Sequence, residues 1–307
     1  MRIAVIGAGG IGAPLGAALA RAGSEVSFVA RGAHLAAIRE HGLRIEGDRG
    51  ETHIRPAGAT DNPAELGVVD YVLLCVKLWD VETAGMAIRP LVGPDTAVVP
   101  LQNGIDTHDR LIPILGRPAV MGGTAFVTGS IVAPGVVRQT GTHQRISFGE
   151  LDGSTSGRGR RLADLCTAAG FEGIFSPEIL LPIWDKFVML VPTSGLNALT
   201  RLPLGKWRAE PELVDLYEAS LCETVAAGLA EGVNLPPDTI ENGMALLRSM
   251  PAQLMASMGH DLLRGNRLEL PWFAGKVVAL GRKHGIATPA NGFIYAALKP
   301  YINGTPA

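Results

Sequence analysis

Near its N-terminus the chain carries Gly7-Ala8-Gly9-Gly10-Ile11-Gly12, set between the apolar run Ile3–Ile6 and an Ala-rich segment of helical character. An apolar run that ends in glycine reads as a buried strand turning sharply into a helix. Gly7 permits the turn, Gly9 lets an anion approach the backbone, and Gly12 lets the helix pack close to the sheet. Ala8, Gly10 and Ile11 complete a loop whose helix N-terminus offers unpaired N–H groups and a partial positive charge. Strand before and helix after are the context that gives such a motif its value. The pattern predicts a dinucleotide clamp, against the alternative of a glycine turn that holds no ligand.

The second strand, Val26–Val29, bears on the choice of coenzyme. Sites for NAD place an Asp or Glu about 20 residues past the glycines, on the ribose 2′-hydroxyl. No acid ends this strand, and Arg31 follows it instead. A guanidinium presents a planar fork of donors that suits a 2′-phosphate. Arg31 therefore points to NADP(H), the alternative being a solvated surface arginine.

A chain of 307 residues has room for two domains with sizeable cores. With 47% hydrophobic and 18% charged residues it belongs with folded proteins rather than disordered ones. A net charge of −2 leaves no footprint for nucleic acid. Cys75, Cys166 and Cys222 have no metal-ligand spacing and read as core thiols in a reducing compartment. The chain opens directly on a strand with no signal-peptide pattern, and its longest apolar stretch, Ile179–Leu190, is broken by Pro182, Asp185 and Lys186. The expectation is a cytoplasmic protein that neither spans nor binds a membrane.

Short apolar runs alternate with helical patterns through the first half, which predicts a parallel sheet. The plainest strands are Ile3–Ile6, Val26–Val29, Tyr71–Val76 and Ala97–Leu101, with a further one over Ala119–Val127. Val136–Gly149 alternates polar and apolar residues and suggests an antiparallel hairpin at the sheet edge. Asp152–Arg160 reads as an exposed loop. From Ser176 onward helical periodicity takes over, with Ser176-Pro177 as cap and first-turn pair and helices over Pro211–Gly232, Pro236–Ser249 and Pro271–His284. The fold class is then α/β, a dinucleotide-binding domain over 1–176 followed by an all-α domain over 177–307. The cleft between the two is the default place for a small-molecule substrate. The apolar C-terminal helices either bury a homodimer interface or simply pack the second domain.

Lys77 and Asn103 each follow a strand, at the carboxyl ends where doubly wound sheets bind ligands. Singly each reads as a loop residue; together they read as coenzyme or substrate contacts. Lys186 lies inside the apolar stretch Ile183–Val191, so it either snorkels to water, pairs with Asp185 or Glu178, or works in a site. Partial desolvation would lower its pKa and make it a better proton donor near neutrality. Residues 186, 190, 194 and 197 share one helical face, which Pro192 is expected to kink. Glu269, before Pro271, fits a helix first turn, and Ser257 fits a hydroxyl for a substrate carboxylate. Both residues equally fit capping roles.

Taken in order, Gly7–Gly12, Arg31, Lys77, Gln102-Asn103-Gly104, Trp184-Asp185-Lys186, Ser257-Met258 with Asp261, Glu269 and His284–Pro289 resemble the ketopantoate reductase family along nearly the whole chain. The resemblance implies a Rossmann-type domain followed by a helical one, and NADPH-dependent reduction of 2-dehydropantoate to pantoate on the way to pantothenate and coenzyme A. By analogy, Lys186 is the general acid on the 2-oxo group and Glu269 binds the substrate hydroxyl and helps position Lys186. Asn103 lies beside nicotinamide and substrate, Ser257 meets the substrate carboxylate, Lys77 binds the coenzyme, and Arg31 holds its 2′-phosphate.

The family carries Asn four and eight residues after the lysine; Leu190 and Ser194 stand here, with Ser194 taking the place of a substrate-binding amide. Leu204 and Ala274 replace two further Asn. A substrate group left unpaired costs about 1–3 kcal/mol. Two outcomes follow for an enzyme: Thr193 or Asn197 compensates, or the substrate is a different, more apolar 2-oxo acid or ketone. A non-catalytic NADP(H)-binding sensor is the reading from another class. Retention of Lys186 and Glu269 speaks against it.

Overall fold

A computed structural model describes residues 1–48 and 50–306 and divides the chain into two compact units, Met1–Ile183 and Trp184–Ala307. The division falls inside a helix, whereas the sequence placed it at 176/177.

Among the described residues the first unit contains ten strands: β1 (Arg2–Ile6), β2 (Glu25–Val29), β3 (Leu43–Gly47), β4 (Thr52–Ile54), β5 (Gly58–Thr60), β6 (Tyr71–Leu74), β7 (Ala97–Pro100), β8 (Gly122–Ala133), β9 (Val136–Gly149) and β10 (Glu172–Phe175). Its helices are α1 (Gly12–Arg21), α2 (Gly32–His41), α3 (Val81–Ala87), α4 (Thr107–Leu115) and α5 (Gly157–Ala168). One sheet is entirely parallel, in the order β5-β2-β1-β6-β7. The chain leaves β1 towards β2 on one side and returns to β6 on the other, so the topological switch adjoins the carboxyl end of β1. Beyond Arg2, the strands β1, β6 and β7 are apolar along their length because both faces are covered. Ile3, Val5, Leu73 and Val99 enter one core cluster, while Ala4, Ile6, Val72, Leu74 and Val98 enter another.

The hairpin predicted at the edge of that sheet belongs to a second one. Val136–Gly149 is a single strand, β9. It pairs antiparallel with β8, while its other edge pairs in parallel with β3 and β10. β9 is the spine of this sheet, whose face is partly exposed, and that explains its mixed composition. The exposed loop expected over Asp152–Arg160 is also corrected. The Ser156 hydroxyl accepts from Gly159 N–H at 3.1 Å and caps α5, which starts at Gly157. Its apolar inner face begins at Leu162 and Cys166, with Ala163 and Leu165 partly buried beside them, so its Gly/Arg-rich start hides it. Ser156→Ala is expected to cost about 1 kcal/mol, read by calorimetry as a fall of about 2–4 °C in the Tm of this unit.

α6 (Leu180–Thr200) passes through Pro192 as one helix and carries the unit division. Ser176 accepts from Glu178 N–H and so caps a turn ahead of α6, not the helix itself. The second unit continues with α7 (Leu204–Trp207), α8 (Pro211–Ala230), α9 (Thr239–Ser249), α10 (Ser257–Leu263), α11 (Ala274–His284) and α12 (Pro289–Leu298). α8 packs against α9, α11 and α12. Its buried Glu223 accepts from the N–H groups of Ala290 and Asn291 at 2.7 and 2.9 Å and from Asn291 Nδ2 at 2.7 Å. This carboxylate therefore satisfies the first turn of α12, where the helix dipole favours negative charge. Gly285, at φ +69, closes α11 as expected.

The three cysteines are free. Burial pushes the thiols of Cys75 and Cys166 up to about 12 and also raises Cys222. Among the described residues no helix is long and apolar enough to cross a membrane.

Candidate active site

Four of the segments singled out in the sequence meet on one edge of the first unit. β2, β1, β6 and β7 lie side by side in parallel, so the residues that follow them line the carboxyl edge: Arg31, the glycine loop, Lys77 and Asn103. Gly7 sits at φ +102, and its N–H donates to Val29 O at 2.9 Å, tying the loop to the end of β2. A Cβ on Gly12 would come within 2.1 Å of Gly7 O and 2.8 Å of Val5 Cγ1, so the helix can start this close to the strand only without one. Above Gly9 there is open space within 4 Å. Ile11 occupies the N-cap of α1 and supplies no side-chain cap, which leaves the helix N-terminus to a ligand. Open space over an uncapped N-terminus fits a pyrophosphate.

Arg31 is exposed at the N-cap position of α2 with extended backbone (φ −136), free of a capping role. Lys77 is half-buried, its Nζ 5.6 Å from the centroid of the Trp79 ring. Asn103 is half-buried and follows Gln102, whose buried amide donates to Leu74 O at 2.9 Å. That bond joins the ends of β6 and β7 and so sets the backbone that carries Asn103. Sequence reasoning missed His34. Its Nε2 bonds Ala8 O at 2.8 Å and its Nδ1 accepts from Gly135 N–H at 3.0 Å. The contact with Ala8 spans 26 residues, and no local motif signals it.

In the second unit the structure pairs Lys186 with Glu269. Lys186 is half-buried on α6, and Glu269 is 6% exposed. Burial pushes the ammonium of Lys186 down to about 8, and the Glu269 carboxylate opposes the fall. Glu269 does not stand in a helix first turn. It precedes the short 3-10 turn Leu270–Trp272, makes no side-chain cap, and is separated from α11 by Phe273 at φ −106, ψ −104. No long helix dipole therefore acts on it; it interacts electrostatically with Lys186.

Ser257 is the exposed first residue of α10 and makes no capping bond. Ser194, by contrast, has no accessible surface, and its hydroxyl finds no hydrogen-bond partner. In this conformation it is closed to a substrate, because the α6 face turns into the core beyond Leu190. The expected compensators are occupied as well. Thr193 Oγ1 donates to Met189 O at 2.7 Å, while Asn197 accepts from Ala256 N–H and donates to Leu202 O. Leu204 and Ala274 are buried, whereas Leu190, one turn from Lys186, is half-buried.

Two family models match the chain: "Ketopantoate reductase PanE/ApbA" over residues 3–153 and "Ketopantoate reductase PanE/ApbA C terminal" over 178–302. The chain belongs to the ketopantoate reductase family. A 2-dehydropantoate 2-reductase of Mesorhizobium japonicum is 31% identical, with 97% of each chain covered. The crystal structure of a PanE/ApbA family ketopantoate reductase from Ralstonia eutropha JMP134 superposes with a TM-score of 0.90 at 30% identity, covering 98% of both chains. D-mandelate dehydrogenase, solved with NADH and anilino(oxo)acetate, also superposes at a TM-score of 0.90, but at 23% identity this likeness shows the fold alone. Ketopantoate reductases are dinucleotide-binding oxidoreductases, and the glycine loop and Lys186–Glu269 pair described above suit that chemistry.

Proposed function

We propose that the chain is an NADPH-dependent 2-dehydropantoate 2-reductase, reducing ketopantoate to pantoate in the cytoplasm on the route to pantothenate and coenzyme A. The observation that carries this reading is the lowered ammonium of Lys186 beside buried Glu269. The glycine loop would hold the pyrophosphate of a reduced nicotinamide coenzyme, whose chemistry there would be hydride donation. Hydride addition to C2 leaves negative charge on the 2-oxo oxygen. The Lys186 ammonium donates a hydrogen bond to that oxygen and then yields its proton to it. Glu269 holds Lys186 in place, keeps it charged and accepts from the substrate hydroxyl. Ser257 Oγ meets the substrate carboxylate, and Asn103 orients the reacting groups. Arg31 supports NADPH over NADH because it follows β2 where no acid stands for a ribose 2′-hydroxyl, and a guanidinium suits a 2′-phosphate.

Leu190 favours a second reading with the same chemistry. A half-buried leucine one turn from the acid, with Thr193 and Asn197 already bonded to backbone, suits a more apolar 2-oxo acid. NADPH oxidation by the purified chain, measured with ketopantoate beside a panel of 2-oxo acids, separates the two. Selective turnover of ketopantoate supports the first reading. A better apolar substrate in the panel supports the second, and no turnover of any 2-oxo acid overturns both.

A further inference from the structure

We infer that His34 is a positioning residue for the coenzyme, holding the Ala8–Gly9 peptide so that its N–H faces the pyrophosphate; this rests on the dinucleotide reading of the glycine loop. The two bonds of the imidazole define its state. Gly135 N–H can only donate, so Nδ1 is an acceptor, and Ala8 O can only accept, so Nε2 carries the proton. The ring is therefore the neutral Nε2–H tautomer, and burial lowers its pKa accordingly.

A trans peptide is planar, with its C=O and N–H on opposite sides. Fixing the Ala8 carbonyl on His34 thus fixes the Gly9 N–H in the opposite direction, away from α2. The plane turns about ψ of Ala8 and φ of Gly9, and Gly9 has no Cβ to resist that turn, so the imidazole bond to Ala8 O is its restraint. The far side of the loop is held by backbone. A Cβ on Gly10 would lie 2.0 Å from Gly129 O of β8, so the β8–β9 hairpin closes directly on the loop. Gly135, in the turn of that hairpin, is the other partner of His34. One imidazole therefore links the glycine loop, the first turn of α2 and the hairpin turn.

The test uses the full-length chain and measures Kd for NADPH and NADH by titrating the coenzyme fluorescence. His34→Phe keeps the ring and removes both bonds. It is expected to raise both Kd values about fivefold to tenfold, equally, because the pyrophosphate is common to the two. Turnover at saturating coenzyme should stay within about twofold. Gln places an amide nitrogen near the Nε2 position and Asn an oxygen near the Nδ1 position. His34→Gln should therefore restore affinity through Ala8, while His34→Asn, which restores only the Gly135 bond, should not. The Gln and Asn pair decides the matter even where Phe unfolds the chain. Unchanged Kd values in His34→Phe, a loss confined to NADPH, or equal rescue by Asn and Gln would each overturn the assignment. Wild-type chain that binds neither coenzyme overturns the dinucleotide reading, and this inference with it.

Discussion

Lys186→Ala is expected to lower kcat for 2-oxo reduction by roughly 10²–10⁴-fold, the range for removing a positioned general acid, while leaving Kd for NADPH within about twofold. The pH profile supplies the sharper check. Lys186 is held near 8 by burial, against the pull of Glu269. Below that pH the ammonium carries the proton that reduction needs; above it the amine is neutral and has none to give. The kcat/KM of the wild-type chain should be level below about 8 and fall tenfold per unit above it, and Lys186→Ala should lose that limb. Glu269→Gln removes the charge that raises Lys186, so its alkaline limb should move to lower pH as kcat drops. A limb that stays in place in Glu269→Gln would assign the titration to another group, and undiminished kcat in Lys186→Ala would remove the lysine from the chemistry.

Arg31→Glu should raise Kd for NADPH by roughly 10²-fold and change Kd for NADH by no more than about threefold. Hydrogen bonds to a charged group contribute about 1.5–3 kcal/mol, and reversing the charge adds repulsion against a dianionic phosphate. Arg31 is exposed, so salt screens part of this interaction. The wild-type preference for NADPH should therefore narrow as ionic strength rises. Titrations with both coenzymes at low and high salt decide it. Equal losses for the two would detach Arg31 from the 2′-phosphate.

The parallel sheet was legible because Ile3–Ile6, Tyr71–Leu74 and Ala97–Pro100 are buried on both faces, which forces continuous apolar runs. The second sheet was not. β3 buries only Leu43 and Ile45 fully, β4 is Thr-His-Ile, and β9 takes partners from distant parts of the chain, so no local pattern announces them. Lys186 stood out because a charge inside an apolar run demands a reason. Spacing placed Glu269 in the first turn of a helix over Pro271–His284, whereas it precedes a short 3-10 turn that breaks at Phe273, a break that spacing does not show. His34 carried no signal at all: both its partners are backbone atoms, which any sequence provides.

The cysteines carry a consequence for chemical stress. A thiol alkylates or oxidises through its thiolate, and Cys75 and Cys166 do not ionise until about pH 12. Peroxide and electrophiles that act through thiolates at neutral pH should leave Cys75 and Cys166 unmodified.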